Sequence, residues 1–148
     1  MAAQTDNLKS RFKVYTVWDD DATAATARYI PTTWLPMGQR MLAQVAFGTG
    51  TGVDTFEIYA ATDSAGTGAT VVKSHAAPDD ADASGDLLTL EVSAEDVKAA
   101  LSGAQYVSVK LKNDNNADEN AVSIFIEGGT AGGGRFQYDD LTADSVIA

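Results

Sequence analysis

The chain contains no cysteine, which removes a disulfide framework, a thiolate metal site and a cysteine nucleophile together. Histidine is nearly as scarce, with His75 alone in 148 residues. A Ser-His-Asp arrangement needs a base held beside its nucleophile, and the common zinc sites need several nitrogen or sulfur ligands. His75 falls at the end of an apolar run beside an acidic loop and reads most simply as a strand-end residue, with no Gly-x-Ser-x-Gly elbow to accompany it. Basic residues are few: 10 Lys and Arg stand against 21 Asp and Glu, a net charge of −11. Such a surface repels a polyphosphate backbone, so nucleic acid is not an expected partner. No stretch approaches the roughly 20 consecutive apolar residues of a membrane helix. Residues 1–7 have neither the basic nor the apolar region of a signal peptide. The expectation is a soluble protein with no membrane partner.

What is present is the material of one domain. At 45% hydrophobic and 21% charged residues, the composition is that of an ordinary globular chain long enough for one core. Residues 1–11 are polar and small and read as an N-terminal arm, residues 12–138 as a single β domain, and residues 139–148 as an acidic tail. Residues 12–18 are rich in β-branched and aromatic side chains, with Phe12, Val14, Thr16 and Trp18 on one face. Residues 29–35 contain Pro31 and are followed by Pro36; neither donates to a ladder, which makes that segment an edge strand or an extended stretch, expected at a sheet edge.

Apolar runs at residues 40–47, 55–61 and 69–75 predict three more strands, joined by the glycine-dense loops 48–52 and 63–68 as hairpin connections. Neither loop has the Lys-Ser/Thr and following helix of a phosphate-binding loop, so turn geometry is the simpler role for both. Residues 86–92 alternate as a strand. Ser93 and Asp96 then form a capping-box pair that starts a short helix running to about Ser102, with Gly103 as its stop. Residues 105–112 put Val107, Val109 and Leu111 on one face and Tyr106, Ser108, Lys110 and Lys112 on the other. Residues 121–127 are expected to pair with them as a hairpin across the loop 113–120, and a last short strand is expected at 135–138. Short strands with turn-rich connections and one inserted helix make the fold all-β and mainly antiparallel, a β-sandwich or jelly-roll-like barrel.

Candidate chemistry is sparse. Paired carboxylates at Asp19–Asp21 and Asp79–Asp86 lie in loops with no spacing that sets two acids across a cleft. The expectation is no catalytic residue and no cofactor. Asp114, Asn116 and Asp118 offer oxygen at alternate positions of a loop, as hard cations prefer. Glu119 then stands where an EF-hand needs its turn glycine and Phe125 where it needs its bidentate acid, so these three remain weak metal candidates beside the reading of a solvated loop. Lys9, Arg11 and Lys13 form the one basic cluster, on the arm and the start of the domain. Trp18, Trp34, Tyr29 and Tyr138 are candidates for a sugar-binding platform or for core and interface anchors. The interface candidates are thus Lys9, Arg11, Lys13, Tyr29, Trp34 and Tyr138.

The segment at residues 59–69, in which strand residues run into Ala61-Thr-Asp-Ser-Ala-Gly-Thr-Gly-Ala69, resembles a phrase in small virion proteins encoded among the head genes of tailed bacteriophages. The similarity continues more loosely through the acidic loop, the Leu-rich strand, the capped helix and the strand up to Leu111. The resemblance implies a capsid decoration or cement protein located on the virion surface. It would have the major capsid protein as partner, be a homo-oligomer with a trimer favoured, and have no catalytic residues. A neck, tail or head-fibre component and a carbohydrate- or host-binding β-sandwich are the alternative readings.

Overall fold

A computed structural model describes residues 12–19, 26–115 and 118–128; at Phe12 and residues 17–19 it describes the backbone alone. Two four-stranded antiparallel sheets face one another. The first, sheet A, has the order β1-β8-β3-β6, with β1 at Phe12–Asp19, β8 at Glu119–Glu127, β3 at Arg40–Thr49 and β6 at Leu87–Ser93. The second, sheet B, has the order β2-β7-β4-β5, with β2 at Arg28–Pro36, β7 at Tyr106–Asn113, β4 at Val53–Ala61 and β5 at Thr70–Ser74. The chain changes sheet at each connection between consecutive strands except β4–β5. Eight strands wound in this way between two sheets form a jelly roll.

Period-two alternation builds the core. Met41, Ala43, Val45 and Phe47 of β3, Val122, Ile124 and Ile126 of β8, and Leu88, Leu90 and Val92 of β6 point inward from sheet A. Phe56, Ile58 and Ala60 of β4, with Val107, Val109 and Leu111 of β7, meet them from sheet B. On β1 the core-facing residue is Tyr15, opposite Ile124, so the face with Val14 and Thr16 is the outer one.

Helix α1, Ala94–Ala100, bridges β6 to β7. Its start is the expected capping box: the Ser93 hydroxyl accepts the Asp96 N–H at 3.1 Å, and Asp96 Oδ2 accepts the Ser93 N–H at 2.8 Å. Asp96 is held below its ordinary carboxylate value of 3.8 by the donors of Ser93, backbone N–H first. Strand β2 is a sheet edge, as its prolines require. At the opposite side of the sandwich, the Lys73 ammonium of edge strand β5 crosses to the Glu91 carbonyl of edge strand β6 at 3.1 Å.

Two expected hairpins are not hairpins. Strand β7 pairs with β2 and β4, while β8 pairs with β1 and β3; likewise β3 pairs with β6 and β8, while β4 pairs with β5 and β7. The connections at 50–52 and 114–118 therefore join strands of different sheets, and they are fastened to each other. Asp118, 1% exposed, accepts the Thr51 N–H at 2.9 Å, the Thr51 hydroxyl at 3.1 Å, the Gly52 N–H at 3.2 Å and the Asn115 N–H at 3.1 Å. Gly50, at φ +135°, leaves the space in which that carboxylate lies. The Asn120 amide donates to Asn113 Oδ1 at 2.7 Å, joining the ends of β8 and β7 across the two sheets. Of the expected connections, β4–β5 alone is a hairpin. The expected strand at 135–138 lies outside the described residues.

Candidate interaction surface

The turn that carries the resemblance has a structural task. Asp63 Oδ1 accepts the N–H groups of Ala65 and Thr67, both at 3.0 Å, and Thr62 N–H donates to the Thr67 carbonyl at 3.0 Å. These donors hold the exposed Asp63 carboxylate below its ordinary value, with Thr67 contributing most. Gly66, at φ +86°, lies so close to Trp34 that a Cβ there would stand 2.6 Å from the indole Nε1. The Trp34 N–H in turn donates to the Ser64 carbonyl at 3.1 Å.

Trp34 reaches the turn because β2 leaves its ladder. Ile30 is opposite Val109 and Leu35 is opposite Val107, so the residues between them bulge away from β7. The buried Ser108 hydroxyl donates to the Pro31 carbonyl inside that bulge at 3.1 Å. Trp34 is consequently 3% exposed. Of the platform, interface and core readings of Trp34, its burial fits the last and opposes the first two: the β4–β5 turn covers the ring.

Tyr29 is brought to Trp34, with ring centroids 4.8 Å apart, and meets Tyr59 edge-on at 5.4 Å. Both tyrosines are half-buried on the outer face of sheet B. Lys110, the ladder partner of Tyr29, places its ammonium 5.9 Å from the Tyr29 ring centroid and 5.1 Å from that of Tyr59, within the range of cation–π attraction. Its Nζ also donates to the Tyr59 hydroxyl at 3.4 Å. Burial raises the Tyr59 phenol above its ordinary value, an effect the Lys110 contact partly offsets. For Lys110, burial pulls downward but is outweighed by Tyr59, Tyr29 and Glu57 together, and the net shift is upward. The patch sets the Lys110 ammonium between two phenol rings with Glu57 nearby, and Val71, 43% exposed, stands opposite Tyr59 on β5. Sequence alternation places Lys110 on this face, but its approach to Tyr29 and Tyr59 depends on strand register across residues far apart in the chain.

The outer face of sheet A has a different character. Cross-strand register aligns Val14, Phe125 and Leu42 in one row, Thr16, Ser123 and Gln44 in the next, and Ala121, Ala46 and Leu87 beyond. Val14, Phe125 and Leu42 are half-buried, and Leu87 is 56% exposed. Glu91 continues the first row on edge strand β6; Glu119 lies at one end of the face, and at the other Arg40 pairs with Glu127 at 2.8 Å and reaches Glu91 at 3.8 Å.

No protein-family model matches the chain, and no curated protein matches it. Among solved structures, the VP2 subviral particle of infectious bursal disease virus is 13% identical with a TM-score of 0.45, over 88% of this chain and 38% of that one. The Gx strain of the same virus gives 14%, 0.43, 91% and 39% respectively. The chain thus spans well under half of those viral chains. A structure of Bacillus endospore appendages, described as disulfide-linked pili, is 16% identical with a TM-score of 0.38, over 87% of this chain and 98% of that one. Disulfide linkage is not available to a chain without cysteine.

The remaining expected sites are dispersed. Lys13 lies on β1 with its ammonium 5.6 Å from the Tyr15 ring centroid. Lys9, Arg11 and Tyr138 lie outside the described residues, as does Asn116. Asp118 is enclosed by N–H and O–H donors, an environment that complements an anion and opposes a cation, so it acts as a loop fastener. Asp114 is exposed and its N–H donates to the Gly52 carbonyl at 3.0 Å. No cluster of three metal-ligating side chains occurs among the described residues. His75 Nδ1 accepts the Ala77 N–H at 3.2 Å, and Asp86 accepts the Ala83 N–H at 2.9 Å, so both serve turns. No helix of the described residues is long and apolar enough to cross a membrane.

Proposed function

We propose that this chain is a structural protein of a virus particle, and more specifically a decoration protein that binds the outside of a tailed-phage head. The observation that carries the reading is the strand order β1-β8-β3-β6 against β2-β7-β4-β5. It is a jelly roll, an architecture recurrent in viral capsid and lectin domains. Fold alone does not assign function, and the phage-like segment adds to it: residues 62–68 form the turn that seats Trp34 against Tyr29, beside the Tyr59 and Lys110 patch. That patch is the surface assigned to the shell, because aromatic rings are the usual anchors of protein interfaces and Lys110 adds a cation beside them. The major capsid protein is then the partner and the virion surface the location.

The test is sedimentation of the purified chain with expanded heads that lack their decoration. The expected result is saturable co-sedimentation with heads and none with soluble capsid protein. Tyr59→Ala and Lys110→Glu should each weaken it by at least about tenfold. Deleting residues 1–11 should weaken attachment while leaving the melting temperature within a few degrees, since that segment has little apolar side chain to contribute to a core. A lectin reading draws on the same jelly roll and the same tyrosines. Retention on a glycan array, lost in Tyr59→Ala, without head binding would replace the decoration reading with that one.

A further inference from the structure

We infer that the outer face of sheet A is a self-association surface, on which a second copy of this chain packs face to face. Three observations carry this, and none depends on the virion reading. The row Val14–Phe125–Leu42 runs across three strands in register, and Ala121, Ala46 and Leu87 form a second apolar row. Between them lie Thr16, Ser123, Gln44 and Thr89, uncharged side chains that both donate and accept, so the face can satisfy a rotated copy of itself. Thr16 and Ser123 already share a hydrogen bond at 3.4 Å.

Charge selects the occupant. The chain carries −11 overall, and two copies repel wherever their acidic surfaces approach. On this face the described charges are Glu119 at one end, Arg40 and Glu127 at the other, and Glu91 on edge strand β6 in register with Leu42, with Arg40 2.8 Å from Glu127 and 3.8 Å from Glu91. The centre is neutral. A like-charged copy therefore meets least opposition here, whereas a basic partner finds no charge in the centre to recognise.

The area suffices. Four strands about 4.8 Å apart and about seven residues long, at about 3.4 Å per residue, present a face of roughly 450 Å². A pair buries roughly 900 Å² of footprint, and more when side-chain relief is included, reaching the about 1,000 Å² that separates specific interfaces from incidental contacts. Face-to-face packing of twisted sheets brings apolar rows into register at about 30°. It closes with two copies, in contrast to the trimer that the phage resemblance implies.

Analytical ultracentrifugation of the full chain tests the assignment. The expected species has twice the 15.4 kDa chain mass at micromolar concentration. Phe125→Asp should raise the dissociation constant by about 100-fold or more, through an unpaired charge buried in the apolar row. Ser123→Lys places a charge in the same face without touching the core and should do the same with an unchanged melting temperature, which separates dissociation from misfolding. Val71→Asp, on the opposite sheet, should leave the dimer intact. A monomer at high concentration would overturn the inference, as would a trimer or any oligomer indifferent to both Phe125→Asp and Ser123→Lys. A monomer that dimerises only after residues 129–148 are removed would assign the face to the chain's own tail instead. Head binding that persists in a monomeric Ser123→Lys protein would leave the decoration reading standing apart from this one.

Discussion

Asp118 combines two properties seldom compatible, a carboxylate group and 1% exposure. Burial of a charge is tolerated only where donors surround it, and here four N–H or O–H groups from Thr51, Gly52 and Asn115 do so. Asp118→Ala strands those donors and should cost roughly 3 kcal/mol, read as a lower urea midpoint with an unchanged slope. Equal stability of the variant would refute the fastening role. From the sequence, Asp114, Asn116 and Asp118 are equivalent acceptors in an Asx-rich loop. What separates Asp118 is the arrival of Thr51 and Gly52 from another crossing loop, a contact between residues more than sixty positions apart. Trp34 teaches the same lesson from the opposite side, since the sequence leaves it a platform, core or interface residue until the turn that covers it is in place.

The β4–β5 hairpin makes the parallel point for whole elements. Gly66→Ala should destabilise by roughly 1–3 kcal/mol, because the residue combines positive φ with contact against the Trp34 ring. In a Trp18→Phe background, the emission of Trp34 should shift to longer wavelength as the turn lifts away. An unchanged spectrum and midpoint would show that the turn does not cover the ring. Strand positions, the capped helix and the edge character of β2 follow from alternation, capping residues and proline, all properties of a few neighbouring residues. Pairing does not. Loops 50–52 and 114–118 have hairpin composition, yet each flanking strand has its own ladder partners in a different sheet, and positive φ suits a sheet crossing as well as a two-strand turn. Alternation assigns a strand its faces and leaves its neighbours to be settled by the packing of two whole sheets.

With 21 acids against 10 bases, the response of the whole chain to pH has two opposed parts. Protonation relieves general repulsion, while Asp63 and Asp96 lose hydrogen bonds that hold their folded values below the ordinary 3.8. A carboxylate depressed on folding contributes stability that is complete above its unfolded value and disappears as pH falls through the folded one. At about 0.5 M salt, where surface repulsion is screened, the urea midpoint should fall below pH 4. The double variant Asp63→Asn with Asp96→Asn should be less stable at pH 7 and flatter through that range. Parallel acid limbs in the two proteins would refute the assignment. Among the described residues, four outer strands have a ladder partner on one side alone, β1 and β6 in sheet A, β2 and β5 in sheet B. Such rims invite runaway strand addition and fibrous aggregates. Prolines blunt β2, and Lys73 ties the rim of β5 to a carbonyl of β6, placing a hydrated positive charge where an intruding strand would have to add. Two of these rims are thereby guarded, which favours discrete species over fibres as the concentration of the chain rises.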